Sequence, residues 1–171
     1  MSAPSTSSVP RERRELDPVE FRRHGILAGM IGAALLAIWF LVVDVLRGHP
    51  LFTPTLLMQA LLAGGVSPGA GEVEPSVAST LLFTIVHGLV FAAIGFSVAE
   101  FLRRFDLVHS HALMLVLLFG AICVAFFTFG LIFTVVGPHG ITLRDAFFGN
   151  ALAALGMVGY LGFALGGRAR D

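Results

Sequence analysis

Five polar side chains interrupt long apolar stretches of this sequence, and they are the residues that could do chemistry there. Polar and ionisable groups are costly to place in a thick apolar environment, so they are candidates for function. By helix rise, His87 lies near the middle of its apolar stretch, Thr128 and Asn150 lie about 10 Å from the outer side, and Asp44 lies close to the outer end. If the stretches pack as a helix bundle, these groups occupy one layer in its outer half. The members of this polar layer are Asp44, Thr84, His87, Thr128 and Asn150.

Two interpretations of the polar layer compete. In the structural interpretation, His87 is neutral and hydrogen-bonds to a neighbouring threonine, asparagine or carbonyl, while Asp44 pairs with Arg47 at (i, i+3). In the functional interpretation, His87 carries a proton or binds a ligand, and Asp44 and Asn150 line a cavity that opens outward. The structural interpretation is favoured, because one histidine without a carboxylate at its own depth is a poor proton path.

Other chemistry has less support in the sequence. A bis-histidine haem needs two histidines at matching depth, and His87 has no such partner. Cys123 is the single cysteine, which excludes an internal disulfide and a zinc motif. Hydrolase, nucleotide-binding and metalloprotease motifs are absent, so we expect no catalytic residue, no metal and no cofactor. The remaining histidines offer no (i, i+3) or (i, i+4) pair to anchor a metal: His24, His49, His109, His111 and His139.

The composition decides the class of protein. The chain has 171 residues, of which 56% are hydrophobic, and its mean hydropathy is +0.88. Only 13% of the residues are charged, against roughly 25% in an average soluble domain. Because a water-soluble fold of this size could not bury so much apolar surface, we predict an integral membrane protein. The net charge of zero gives no attraction to nucleic acid.

Four apolar stretches are long enough to cross a membrane. A helix that crosses ~30 Å of hydrocarbon needs about 20 residues, and an open sheet edge does not survive in lipid. The sequence therefore predicts an all-α integral membrane four-helix bundle, folded as a single domain over residues 18–167. Residues 1–17 are predicted to be a disordered N-terminus and 168–171 a short tail. The predicted spans are 25–47, 76–101, 111–136 and 143–166.

The first outer loop contains a further short helix. Thr53 and Pro54 are typical of a helix start, and residues 54–63 continue as an apolar segment that ends at two glycines. At 1.5 Å per residue, this segment spans less than half of a bilayer. It either lies in the membrane interface or re-enters the membrane, and the interfacial position is favoured.

The arginines predict the orientation. Nine of the eleven basic residues fall on one side of the predicted spans, and only Arg47 and Arg144 fall on the other. By the positive-inside rule, both termini are then cytoplasmic. We expect a multi-pass protein of the bacterial cytoplasmic (inner) membrane.

Small residues recur every three or four positions in three of the predicted spans. In lipid, helices associate through close packing, so such stripes mark contact faces. Glycine and alanine are also frequent in membrane helices in general, but matching stripes in three spans favour packing. The predicted packing residues are Gly29, Gly32, Gly88, Ala92, Gly95, Gly149, Ala153 and Gly156.

These observations lead to hypotheses of different classes. The favoured one is a non-enzymatic structural or accessory membrane subunit, whose partners are the lipid bilayer and another membrane protein or a second copy of the chain. The alternative is a small carrier or channel that uses the polar layer around His87. An electron-transfer or haem subunit is a third hypothesis, weakened by the missing histidine partner.

Overall fold

The chain is all-helical in the part that the structure describes. The computed structural model describes residues 17–64, 73–104 and 141–166, together with 117, 120, 121, 123–125, 127, 128 and 131. No strand occurs among these residues, which confirms the all-α prediction. The helices with defined bounds are α1 (Pro18–Leu46), α2 (Phe52–Ala63), α3 (Val77–Arg104) and α4 (Leu143–Gly166).

Three of these helices are long and apolar enough to cross a membrane. They are α1, α3 and the first 22 residues of α4, to Ala164. They coincide with the predicted spans 25–47, 76–101 and 143–166, and the chain is a membrane-embedded helical bundle. The predicted span 111–136 falls largely outside the described residues, and those of its residues that are described are helical. Residues 1–16 and 167–171 also lie outside them.

Local sequence signals account for the helix ends. Asp17 precedes α1 and its Oδ1 accepts a hydrogen bond from the backbone N–H of Val19 at 2.9 Å, while Pro18 occupies the first helical position. Helix α2 starts two residues before the predicted 54–63 segment and ends at Gly64, whose φ of 68° is the left-handed conformation that glycine adopts freely. Its position relative to the membrane stays a prediction.

Helix α1 is central in the described part of the bundle. It packs against α3 and α4 along its length and contacts α2 at its C-terminal end. The start of α1 lies beside the ends of α3 and α4, as the contacts Arg22–Glu100 and His24–Tyr160 show. We call this the arginine end, after Arg22, Arg23, Arg103 and Arg104, and we call the other the opposite end, where Arg47, Thr53 and Asp145 lie.

The chain leaves α3 and enters α4 at opposite ends of the bundle. Helix α3 finishes at the arginine end, whereas α4 begins at the opposite end. The stretch between Arg104 and Ile141 therefore connects the two ends. The described helical residues of the predicted span 111–136 belong to this stretch, and Leu117 packs beside α1, α3 and α4 against a core that includes Phe21, Leu102 and Leu161.

Glycines bring α1 and α3 into backbone contact. A Cβ atom added at Gly29 would lie 2.7 Å from the carbonyl carbon of Phe91 and 3.0 Å from the Cα of Ala92. A Cβ atom added at Gly95 would lie 2.7 Å from the backbone nitrogen of Gly29. Real Cβ atoms do not approach backbone atoms so closely, so each position accepts only glycine in this arrangement. Gly25 takes part in the same contact, since its added Cβ would lie 2.6 Å from the carbonyl oxygen of Gly95.

The contact between α1 and α4 differs in kind, because glycines there face side chains. A Cβ atom added at Gly32 would lie 2.7 Å from the Cγ of Met157. A Cβ atom added at Gly149 would lie 2.6 Å from a methyl carbon of Leu36. An added Cβ at Gly156 would clash with the end of the Leu35 side chain. These neighbours are flexible side chains, so the α1–α4 contact has more room to adjust than the α1–α3 contact.

The remaining predicted packing residues have varied surroundings. Ala153 is buried, and Ala92 is partly buried with its Cα beneath Gly29. Gly88 lies outside the close contact: in the described part of the chain, an added Cβ there would meet only the end of the Met30 side chain, at 3.9 Å. The reason is that a long side chain, and not the backbone of α1, lies over this position.

Candidate functional site

Asp44 links the end of α1 to the start of α2. Its side chain is 1% exposed, and its two oxygens accept hydrogen bonds from the backbone N–H of Thr53 at 2.7 Å and from the Thr53 hydroxyl at 2.6 Å. The residue just before α2, Leu51, occupies the N-cap position with a φ of 66° and supplies no side-chain cap. Asp44 therefore serves as an N-terminal cap of α2 from the preceding helix, where a carboxylate also complements the helix dipole.

Arg47, the expected partner of Asp44, reaches across to α4. It forms an ion pair with Asp145, which is 5% exposed. Asp145 also bonds to the hydroxyl of Thr142, and its own backbone N–H donates to that hydroxyl at 3.2 Å. This reciprocal pair caps the start of α4. The indole N–H of Trp39 donates to the backbone carbonyl of Asp145 at 2.8 Å, which adds a second link between α1 and α4.

Thr55 links α2 to α3. The side chain is fully buried, and its hydroxyl accepts a hydrogen bond from the backbone N–H of Ser76 at 3.0 Å and lies 3.4 Å from the hydroxyl of Thr80. From the sequence, Thr53 was predicted only to start a helix, and Thr55 was given no role. The signal for both was the presence of two threonines in a helix whose only other polar residue is Gln59.

Three members of the polar layer take no part in these contacts between helices. The hydroxyl of Thr84 donates to the carbonyl of Thr80 at 2.7 Å, and the amide of Asn150 donates to the carbonyl of Ala146 at 2.8 Å. Both bonds stay within one helix, and Thr128 is exposed. Among the described residues, no hydrogen bond joins one member of the polar layer to another. A common site formed by the whole layer stays a prediction.

His87 occupies an aromatic environment on α3. Its ring stacks against Phe83, with centroids 5.4 Å apart, and tilts against Phe91 at 4.6 Å. The backbone of Ala33 on α1 faces the ring. Nε2 is buried and makes no hydrogen bond of normal geometry to any described residue. Of the three partners expected for the ring, a threonine, an asparagine or a backbone carbonyl, only the backbone of Ala33 faces it. Ring contacts, more than polar ones, hold this side chain.

The described residues contain no group of three or more histidine, cysteine or acidic side chains arranged to hold a metal ion. The fold and the polar contacts define a helical membrane protein whose polar side chains largely connect its helices. Comparison with models of known protein families, with curated proteins and with solved structures gave no match.

Proposed function

We propose that this chain is a non-enzymatic integral membrane protein that serves as a structural or accessory subunit. The observation that carries the proposal is the use of its polar side chains. Asp44, Asp145 and Thr55 each join two helices, and Asn150 and Thr84 each bond within their own helix. Polar groups already engaged in such bonds are not available to coordinate a substrate, which favours a scaffolding role over transport or catalysis.

The surface of α3 supports the accessory role. Only Gly95, Ala99 and Leu102 of this helix are buried. Large apolar side chains repeat along its exposed face, among them Leu81, Ile85 and Leu89 at intervals of four residues. Such a face suits the lipid bilayer and also suits a helix of another membrane protein or of a second copy. Nothing in the composition favours a nucleic-acid partner.

We further propose that the protein resides in a bacterial cytoplasmic membrane with both termini in the cytoplasm. Nine of its eleven arginines fall on one side of the predicted spans. A fluorescent-protein fusion at the C-terminus is therefore expected to be bright, and a phosphatase fusion after Gly64 is expected to be active. The matched exchange places phosphatase at the C-terminus and the fluorescent protein after Gly64. It should give neither phosphatase activity nor fluorescence. Activity of the exchanged pair instead would contradict this orientation.

A small carrier or channel is the second candidate. The observation in its favour is that Nε2 of His87 is buried without a hydrogen-bond partner among the described residues. A buried imidazole nitrogen without a hydrogen-bond partner is available in principle to a proton or a ligand. In this alternative, His87 is required for movement of a solute or a proton across the membrane.

The substitution His87→Phe separates the two candidates. The proposal expects normal accumulation and a thermal midpoint equal to or above that of the wild type, because phenylalanine retains the ring contacts with Phe83 and Phe91 and removes an unsatisfied nitrogen. It also expects that neither protein dissipates a pH gradient in reconstituted vesicles. His49→Phe, at an exposed position, is the matched control. Dissipation by the wild type and by the control, but not by His87→Phe, would overturn the proposal.

A further inference from the structure

A groove with charged and apolar parts lies at the arginine end of the bundle. Its volume is about 390 Å³, within the range of about 300–1,000 Å³ that is typical of small-molecule sites. The α1 residues that line it are spaced at i, i+3, i+4, i+7 and i+8, so they share one helix face, and α3 adds one aromatic side chain. The lining residues are Val19, Arg22, Arg23, Ile26, Leu27 and Phe96.

The charges around the groove leave it positive. Its lining contains two arginines and no carboxylate. Glu100 lies nearby, but its carboxylate already contacts three guanidinium groups, from Arg22 at 3.4 Å, Arg103 at 2.6 Å and Arg104 at 3.4 Å. Among the described residues, the other neighbouring acids are Glu20, which lies 3.9 Å from His24, and Asp17, which caps α1.

The two arginines of the lining differ in how they are held. The guanidinium of Arg22 lies 5.8 Å from the centre of the Phe96 ring and contacts Glu100, so its position is fixed by α3. Arg23 is exposed and makes no ion pair with any described residue. Its guanidinium is therefore available to an external anion.

We propose that this groove binds one anionic phospholipid. The phosphate pairs with Arg23 and Arg22, and the acyl chain lies along Ile26, Leu27 and Phe96. Guanidinium groups match phosphate oxygens in charge and geometry. Leu27 follows Arg23 by four residues, about 6 Å along the helix, so the charged part lies one turn from the apolar part, as the headgroup lies next to the acyl chains in a bilayer. This proposal depends on the membrane location of the chain and not on its proposed function.

Native mass spectrometry of the detergent-solubilised full chain tests the charged part. Phosphatidylglycerol and phosphatidylcholine are titrated separately, and we expect one retained phosphatidylglycerol with clear preference over phosphatidylcholine. Arg23→Gln is expected to weaken phosphatidylglycerol retention about fivefold. The matched control, Arg144→Gln, removes an exposed arginine at the opposite end and should leave retention unchanged. Equal retention of both lipids, or equal losses in both variants, would overturn the proposal.

A second pair of variants tests the apolar part. Leu27→Asn keeps the arginines but places an amide where the acyl chain would lie, so it should also weaken phosphatidylglycerol retention severalfold. Leu46→Asn places the same amide on an exposed position at the other end of α1 and should have no effect. If Leu27→Asn binds phosphatidylglycerol as the wild type does, the groove does not hold an acyl chain and the proposal fails.

Discussion

Gly29→Ala is expected to destabilise the folded protein by about 1–3 kcal/mol, although it adds only one methyl group. The added Cβ would lie 2.7 Å from the carbonyl carbon of Phe91 and 3.0 Å from the Cα of Ala92. Because both neighbours belong to the backbone of α3, no side-chain rotation relieves the contact. The helices must separate, and close packing is the main attraction between helices in lipid.

Thermal and denaturant unfolding in the same detergent measure this effect, and two alanine variants serve as controls. Gly159→Ala adds a methyl group to α4 where no described residue lies within 4 Å. Gly88→Ala adds one to α3, where the end of the Met30 side chain is the only described neighbour within 4 Å. Both controls should unfold within about 1 kcal/mol of the wild type, since alanine is a better helix former than glycine. If the unfolding midpoints of Gly29→Ala equal those of the controls, α1 and α3 do not form this backbone contact.

Asp44→Ala is expected to cost about 2–4 kcal/mol of stability. The carboxylate accepts two hydrogen bonds from Thr53 in a buried position, and its removal leaves the backbone N–H at the start of α2 without a partner. Because the charge also complements the N-terminus of α2, Asp44→Asn should recover only part of the loss. Urea or SDS unfolding curves of the three proteins measure these differences.

A double-mutant cycle of Asp44→Ala with Thr53→Ala tests whether Asp44 stabilises the protein by capping α2 or through a charge interaction with other groups. We expect a coupling energy of about 0.5–3 kcal/mol between Asp44 and Thr53. Asp17→Ala, which removes the exposed cap of α1, is the matched control and should cost about 0.5–2 kcal/mol without coupling to Thr53. Additive effects of Asp44→Ala and Thr53→Ala would exclude the capping role.

Different kinds of contact hold the two ends of the bundle together. Asp44 lies in the last turn of α1 and Arg47 directly follows this helix, yet the first caps α2 and the second pairs with Asp145 of α4. At the opposite end of the bundle, polar contacts from the C-terminal end of α1 thus hold both α2 and α4. The α1–α3 contact is held mainly by glycine packing, although the Arg22–Glu100 ion pair also joins these helices at the arginine end. Substitutions in these regions should therefore affect different steps of assembly, docking of α2 and α4 in one case and pairing of α1 with α3 in the other.

The amino-acid sequence alone determined the features that depend on neighbouring residues. Uninterrupted apolar length predicted α1, α3 and α4, and the capping pattern from Thr142 to Asp145 predicted the start of α4. Both are local, since a membrane span needs only sufficient apolar length and a cap needs only the next turn.

Only the tertiary structure decided which residues meet. Gly88 and Gly95 lie on the same sequence stripe, but only Gly95 touches the backbone of α1, because the crossing point of two helices is not a local property. Asp44 contacts Thr53 because the chain turns at Leu51, which has a left-handed backbone conformation. The (i, i+3) rule, which concerns neighbours on one helix, does not predict this contact. The groove beside Arg23 likewise needs Phe96, a residue that only the packing of α3 on α1 brings there.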